Sequence, residues 1–141
     1  MRHFSTTFEV AAPPERVWSV MIDFARWPEW TASVTRIDLV SKGEIRPGAR
    51  IVIRQPGFPP ALWVMQSIEP GRGFTWKSGF PGLWVFARHA IAPAPGGSTV
   101  TLAVEFQGLL GALAGRWTRA TNERYLAMEA AGLKRRSEEI D

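Results

Sequence analysis

The chain contains no cysteine, a single tyrosine (Tyr125), two histidines and only three lysines in 141 residues. Without cysteine there is no disulfide framework, no thiolate metal site and no thiol nucleophile, and a cytoplasmic setting is the expectation. No apolar run approaches the roughly 20 residues that a membrane-spanning helix needs, so no transmembrane segment is expected. Met1-Arg2-His3-Phe4 carries none of the pattern of a secretory leader. HExxH, a Walker loop and G-x-S-x-G are all missing. The glycine-spaced stretch Gly108–Gly115 lacks the Gly-Lys-Ser/Thr that would make it a phosphate cradle, and reads as a lead-in to a helix. His3 and His89 fall on separate predicted strands with few acids near either, so neither a metal nor a cofactor is expected.

Large rings and arginine are abundant instead. Seven Trp and eight Phe stand beside the one Tyr, and 14 of the 17 basic residues are Arg. A net charge of +4 raises the question of nucleic acid. The arginines, however, are scattered from Arg2 to Arg136, and the densest run, Lys134-Arg135-Arg136, is followed at once by Glu138, Glu139 and Asp141. Basic residues there suit the C-terminal end of a helix dipole, and nucleic acid is not an expected partner. With 45% hydrophobic and 21% charged residues the composition is that of a folded protein, and residues 1–141 read as one domain.

Phe4, Thr6, Phe8 and Val10 alternate with Ser5, Thr7 and Glu9, the period of a half-buried strand. Pro13-Pro14-Glu15 then opens a helix whose apolar positions are Val17, Val20, Met21 and Phe24. Pro28 ends that pattern, and Trp27-Pro28-Glu29-Trp30 predicts a second short helix or turn. Six strands follow, over residues 33–40, 50–54, 62–68, 74–78, 83–91 and 99–106, separated by Gly- and Pro-containing turns. Such short connections favour an antiparallel meander. A final helix is predicted over about 112–138, with Leu110, Leu113, Trp117, Ala120, Arg124, Met128 and Ala131 on one stripe. Leu126 and Leu133 lie nearly opposite, so this helix is apolar on two sides. The fold class is α+β, in the order β-α-α-β6-α.

Val10-Ala-Ala-Pro-Pro-Glu-Arg-Val-Trp18 and Asp23-Phe-Ala-Arg-Trp-Pro-Glu-Trp30 resemble the opening of the START/Bet v 1-like (SRPBCC) superfamily, in its bacterial polyketide cyclase/dehydrase branch. Ile45-Arg-Pro-Gly48, Ile68-Glu-Pro-Gly71, Phe74-Thr-Trp76, His89-Ala-Ile-Ala-Pro93 and Gly97-Ser-Thr-Val100 extend the resemblance over essentially the whole chain. It implies a helix-grip fold: a curved antiparallel sheet of about seven strands around a long C-terminal helix, with an internal cavity between them.

Against that expectation, His89 shares strand parity with Ala87 and Ile91. An imidazole turned into an apolar cavity suits general acid–base chemistry, although a core histidine with one backbone partner has the same pattern. Arg124 falls in the apolar stripe of the last helix and would hold a ligand carboxylate, enolate or phenolate, or else snorkel to solvent or pair with Glu123 or another acid. His89 and Arg124 are thus the candidate catalytic pair. Trp27, Trp30, Phe74, Trp76, Leu113, Trp117 and Met128 join them as candidate ligand-binding residues, since indole and phenyl rings wall pockets for flat ligands. Tyr125 is a weaker candidate at the stripe's edge. Phe58 and Phe80, each between Pro and Gly at a hairpin tip, are candidates for the cavity mouth, or for contact with a partner or a membrane surface. The facing of Trp63, Met65, Trp84 and Phe86 stays open, because their strands are apolar on both faces. An exposed Trp84–Phe86 face would point to a homodimer.

Three functions are compatible with this pattern. The favoured one is a carrier that binds a hydrophobic or aromatic small molecule, a lipid included, without chemistry. The second is a polyketide cyclase/dehydratase-type lyase or isomerase, in which Arg124 stabilises an enolate and His89 moves the proton. The third is a protein-interaction module using the apolar loop tips.

Overall fold

The computed structural model describes residues 2–139. The first alternating run forms strand β1 (His3–Val10), and the double proline that breaks it starts helix α1 (Pro14–Ile22) with Pro14 in its first turn and Glu15 near its positive end. Val17, Val20 and Met21 are its buried positions. A 3-10 helix (Phe24–Glu29) then absorbs Pro28 and buries Phe24 and Trp27. Trp27 donates its Nε1 hydrogen to the Met21 carbonyl at 3.0 Å, which locks the ring against the end of α1.

Six strands follow: β2 (Arg36–Leu39), β3 (Arg50–Arg54), β4 (Ala61–Glu69), β5 (Gly73–Phe80), β6 (Leu83–Ala94) and β7 (Gly97–Gln107). Each pairs antiparallel with its sequence neighbour, and β1 adds to β7, giving the order β1-β7-β6-β5-β4-β3-β2. This is the expected meander, closed by the N-terminal strand and curved around the C-terminal helix as in the helix grip. Strand parity resolves the open positions. Met65 is buried and Trp63 half-buried on the concave face, whereas Leu62 is exposed. Trp84 and Phe86 are half-buried on the outer face, with the Lys77 ammonium 4.5 Å from the Trp84 ring centre.

The long C-terminal helix is present, but the segment predicted over about 112–138 is not one piece. It is two helices, α2 (Gly111–Trp117) and α3 (Arg119–Glu138), broken at Thr118. There the Thr118 hydroxyl and its backbone N–H both donate to the Ala114 carbonyl, at 2.7 and 3.0 Å. A side chain that competes in this way for a helix carbonyl bends or ends the helix. The break leaves the phase unchanged: Leu113 and Trp117 before it and Ala120, Arg124 and Ala131 after it form one exposed stripe, and the opposite stripe, with Gly111, Gly115 and Leu126, is the buried one. The buried face of α3 holds Tyr125, Leu126, Gly132, Leu133 and Ser137. Ala120, Arg124 and Ala131, expected inward, are exposed.

Close packing fixes that orientation. A Cβ on Gly132 would lie 1.8 Å from the Trp30 carbonyl oxygen, so only glycine lets α3 cross the Trp30 backbone here. The far end of α3 is tied down by polar bonds. Arg16 donates to the carbonyls of Ser137 (3.4 Å) and Arg136 (3.3 Å), where the negative end of the helix dipole lies. Arg136 reaches Glu29 at 2.7 Å, and Glu138 accepts the Ala11 N–H at 2.7 Å.

Candidate functional site

A cavity of about 270 Å³ lies between the concave face of the sheet and α3. Its strand walls follow from alternation: Ile53 on β3, Ala61 and Trp63 on β4, Trp76 and Ser78 on β5, Leu83, Val85, Ala87 and His89 on β6, and Val104 and Phe106 on β7. Trp27 closes one side. From α3 come Asn122, Tyr125, Leu126 and Glu129, one helical face by their three- and four-residue spacing. The surface so formed is predominantly apolar; besides Gln55 and Ser78, its polar groups gather in two places.

The first polar place is His89, 5% exposed. Its ring stacks on Phe74, across the β5–β6 pairing, with centroids 4.3 Å apart and planes 15° from parallel. Trp27 and Trp76 flank it at 5.6 and 5.5 Å. With three aromatic neighbours the imidazole has little freedom to turn. Its Nε2 faces Glu129 Oε1 on α3 at 4.0 Å. Its Nδ1 is buried without a hydrogen-bond partner among the described residues, as is Nε1 of Trp63.

The second polar place is the rim. Asn122 donates to the Thr118 hydroxyl at 2.8 Å, on the α2–α3 junction. Tyr125 donates its hydroxyl hydrogen to the Pro56 carbonyl, and Phe58 packs edge-on against the Tyr125 ring at 6.1 Å. The β3–β4 loop is thereby latched to α3 over the cavity. Gly79, on the opposite rim, has φ +123, and a Cβ there would come within 2.1 Å of the Leu83 carbonyl; the tight β5–β6 hairpin depends on its absence.

The candidate residues fall into three groups. Trp27, Trp76, His89 and Phe58 line the cavity. Trp30 and Phe74 are buried behind it, Trp30 against Trp27 at 5.1 Å and Phe74 beneath His89. The rest lie elsewhere. Leu113 and Trp117 are exposed on α2, Phe80 is exposed at its hairpin tip, and Met128 is half-buried outside the lining. Arg124 is exposed as well, its guanidinium carbon 5.5 Å from the Tyr125 ring centre on the outer side of α3. No lysine or arginine lines the cavity among the described residues. Glu129 and Asn122 went unread because polar residues on the inward face of α3 look like a solvent face. The spacing 122, 125, 126, 129, 133 was the available signal, and it continues the stripe begun by the small and polar residues Gly111, Gly115 and Thr118.

The family model for polyketide cyclase / dehydrase and lipid transport proteins matches residues 1–138. No curated protein matches the sequence. Solved structures share the fold at low identity. The Zhui aromatase/cyclase from Streptomyces sp. R1128 superposes with a TM-score of 0.78 at 16% identity, covering 97% of this chain and 93% of that one. The di-domain ARO/CYC StfQ of the steffimycin biosynthetic pathway gives 0.75 at 14% identity, with 96% of this chain matching 50% of that one. Ara h 8.0201 gives 0.64 at 18% identity, covering 93% and 97%. Motifs, helix grip and cavity thus agree with the whole-chain family match, and the chain belongs to the polyketide cyclase / dehydrase and lipid transport family of the START/Bet v 1-like superfamily.

Proposed function

We propose that the protein, acting as one ligand-binding domain, holds a hydrophobic or aromatic small molecule in the cavity under α3. The observation that carries this reading is the lining: aromatic and aliphatic walls around about 270 Å³, near the small end of the range for ligand sites. Trp27, Trp63 and Trp76 present ring faces and edges suited to a flat ligand, and the polar groups at the rim suit a single oxygen-bearing end. The Tyr125–Pro56 latch serves as the entrance.

Native mass spectrometry of gently purified protein, followed by solvent extraction, tests the reading. A stoichiometric apolar adduct is the expected result. An adduct-free mass, together with no saturable binding of an aromatic probe such as aminoanthracene, would overturn it. Ala87→Phe, which fills the cavity from β6, is expected to abolish probe binding while the fold survives.

One observation favours a second reading, a cyclase/dehydratase-type enzyme: the His89–Glu129 pair in the cavity wall. A carboxylate beside an imidazole sets its orientation and supports proton transfer to or from an enolisable ligand. In this version the partner of His89 is Glu129 and not Arg124, and no guanidinium stabilises the enolate. Turnover of an enolisable ligand by the wild type but not by His89→Ala distinguishes it from simple carriage.

A further inference from the structure

Helix α2 is amphipathic in the wrong direction for a helix lying on a protein. Its small residues Gly111, Ala114 and Gly115 face the sheet, and a Cβ on Gly111 would already meet the Phe106 backbone at 3.1 Å. Its large apolar residues point outward: Leu113 is 53% and Trp117 83% exposed, with Leu109, 94% exposed, just before the helix. Phe80, 55% exposed, belongs to the adjoining β5–β6 hairpin, because the Leu110 N–H donates to the Gly82 carbonyl at 2.8 Å. A contiguous apolar patch of this kind marks an interaction surface.

Charge identifies the partner. The stretch 106–122, which holds α2 and its approach, contains no aspartate or glutamate but carries Arg116 and Arg119. Arg116, beside Trp117, makes no ion pair among the described residues, and Arg119 pairs with Glu123 at 3.1 Å. Leu and Trp on one side of a short helix, flanked by arginines that can reach phosphates, have the chemistry of a helix lying in a lipid headgroup layer. We infer that α2 and the β5–β6 tip dock on the surface of an anionic lipid bilayer. Thr118 and Gly79, which border this patch, also line the cavity, so docking turns the cavity mouth toward the lipid. The surface stands independently of what the cavity holds.

Sedimentation with vesicles of phosphatidylcholine, with and without phosphatidylglycerol, tests the inference. Wild-type protein is expected to sediment with the anionic vesicles, and to be released by about 0.5 M salt, where screening is nearly complete. Arg116→Ala is expected to weaken binding about fivefold. Leu109→Ser combined with Trp117→Ser is expected to weaken it by about tenfold or more. Both variants should keep the wild-type melting temperature and aminoanthracene binding in solution, which separates loss of docking from loss of the cavity. Absence of binding to anionic vesicles, or binding that the double variant leaves unchanged, overturns the inference. So does a wild-type dimer in analytical ultracentrifugation that becomes monomeric in the double variant, because a second copy would then cover the patch.

Discussion

His89 Nε2 lies 4.0 Å from Glu129 Oε1, the one place where sheet and helix bring two titratable groups together in the cavity wall among the described residues. Glu129→Gln keeps the shape of the side chain and removes its charge. The affinity for an apolar probe is expected to stay within about threefold, whereas the kcat for any ligand that is turned over should fall about a hundredfold. Arg124→Ala, at an exposed position, is expected to change neither. Parallel probe titrations and turnover assays on the two variants check both statements.

Tyr125 joins α3 to the β3–β4 loop through the Pro56 carbonyl. Tyr125→Phe keeps the ring contact with Phe58 and removes the hydrogen bond, at an expected cost of about 1 kcal/mol. A looser latch should show as probe dissociation about fivefold faster in stopped-flow measurements, with little change in the association rate. An unchanged dissociation rate would place the entrance elsewhere.

Gly132 is expected to be intolerant of any side chain. Gly132→Ala sets a methyl group 1.8 Å from the Trp30 carbonyl oxygen, and that atom is backbone, so α3 must shift to relieve the clash. A destabilisation of about 3 kcal/mol follows, equivalent to a melting temperature lower by about 10 °C. Thermal denaturation followed by circular dichroism reads it directly.

Stability at acid pH should depend on Glu138. The Ala11 N–H, and after it Lys134, hold this carboxyl below the usual glutamate range. A group whose value is lowered by folding stabilises the protein above its unfolded value and loses that contribution as pH falls through the folded one. Glu138→Gln is therefore expected to cost about 0.5 kcal/mol near neutral pH, the scale of a surface pair. The gap between variant and wild-type melting temperatures should close as pH falls below about 4.3. A gap constant from pH 7 to pH 3 would show that the loss is steric.

By itself the sequence determined the strands, their order and the inward parity of His89. Period-two alternation survives any neighbourhood, because successive side chains must take opposite faces, and Ala87, His89 and Ile91 are buried together while Arg88 is exposed. The α1 boundary at Pro13-Pro14 and the turns at Gly and Pro are local too. Only the tertiary structure decided the phase of the last helix. The close approach of Gly111 to the Phe106 backbone and of Gly132 to Trp30 sets which face meets the sheet, the same stripe on both sides of Thr118. That packing placed Arg124 outside and Glu129 in the cavity wall. Hydrophobicity could not foresee it: a cavity wall that carries Asn122 and Glu129 reads like a solvent face, and Leu113 and Trp117 of α2, exposed on its outer side, read like a core.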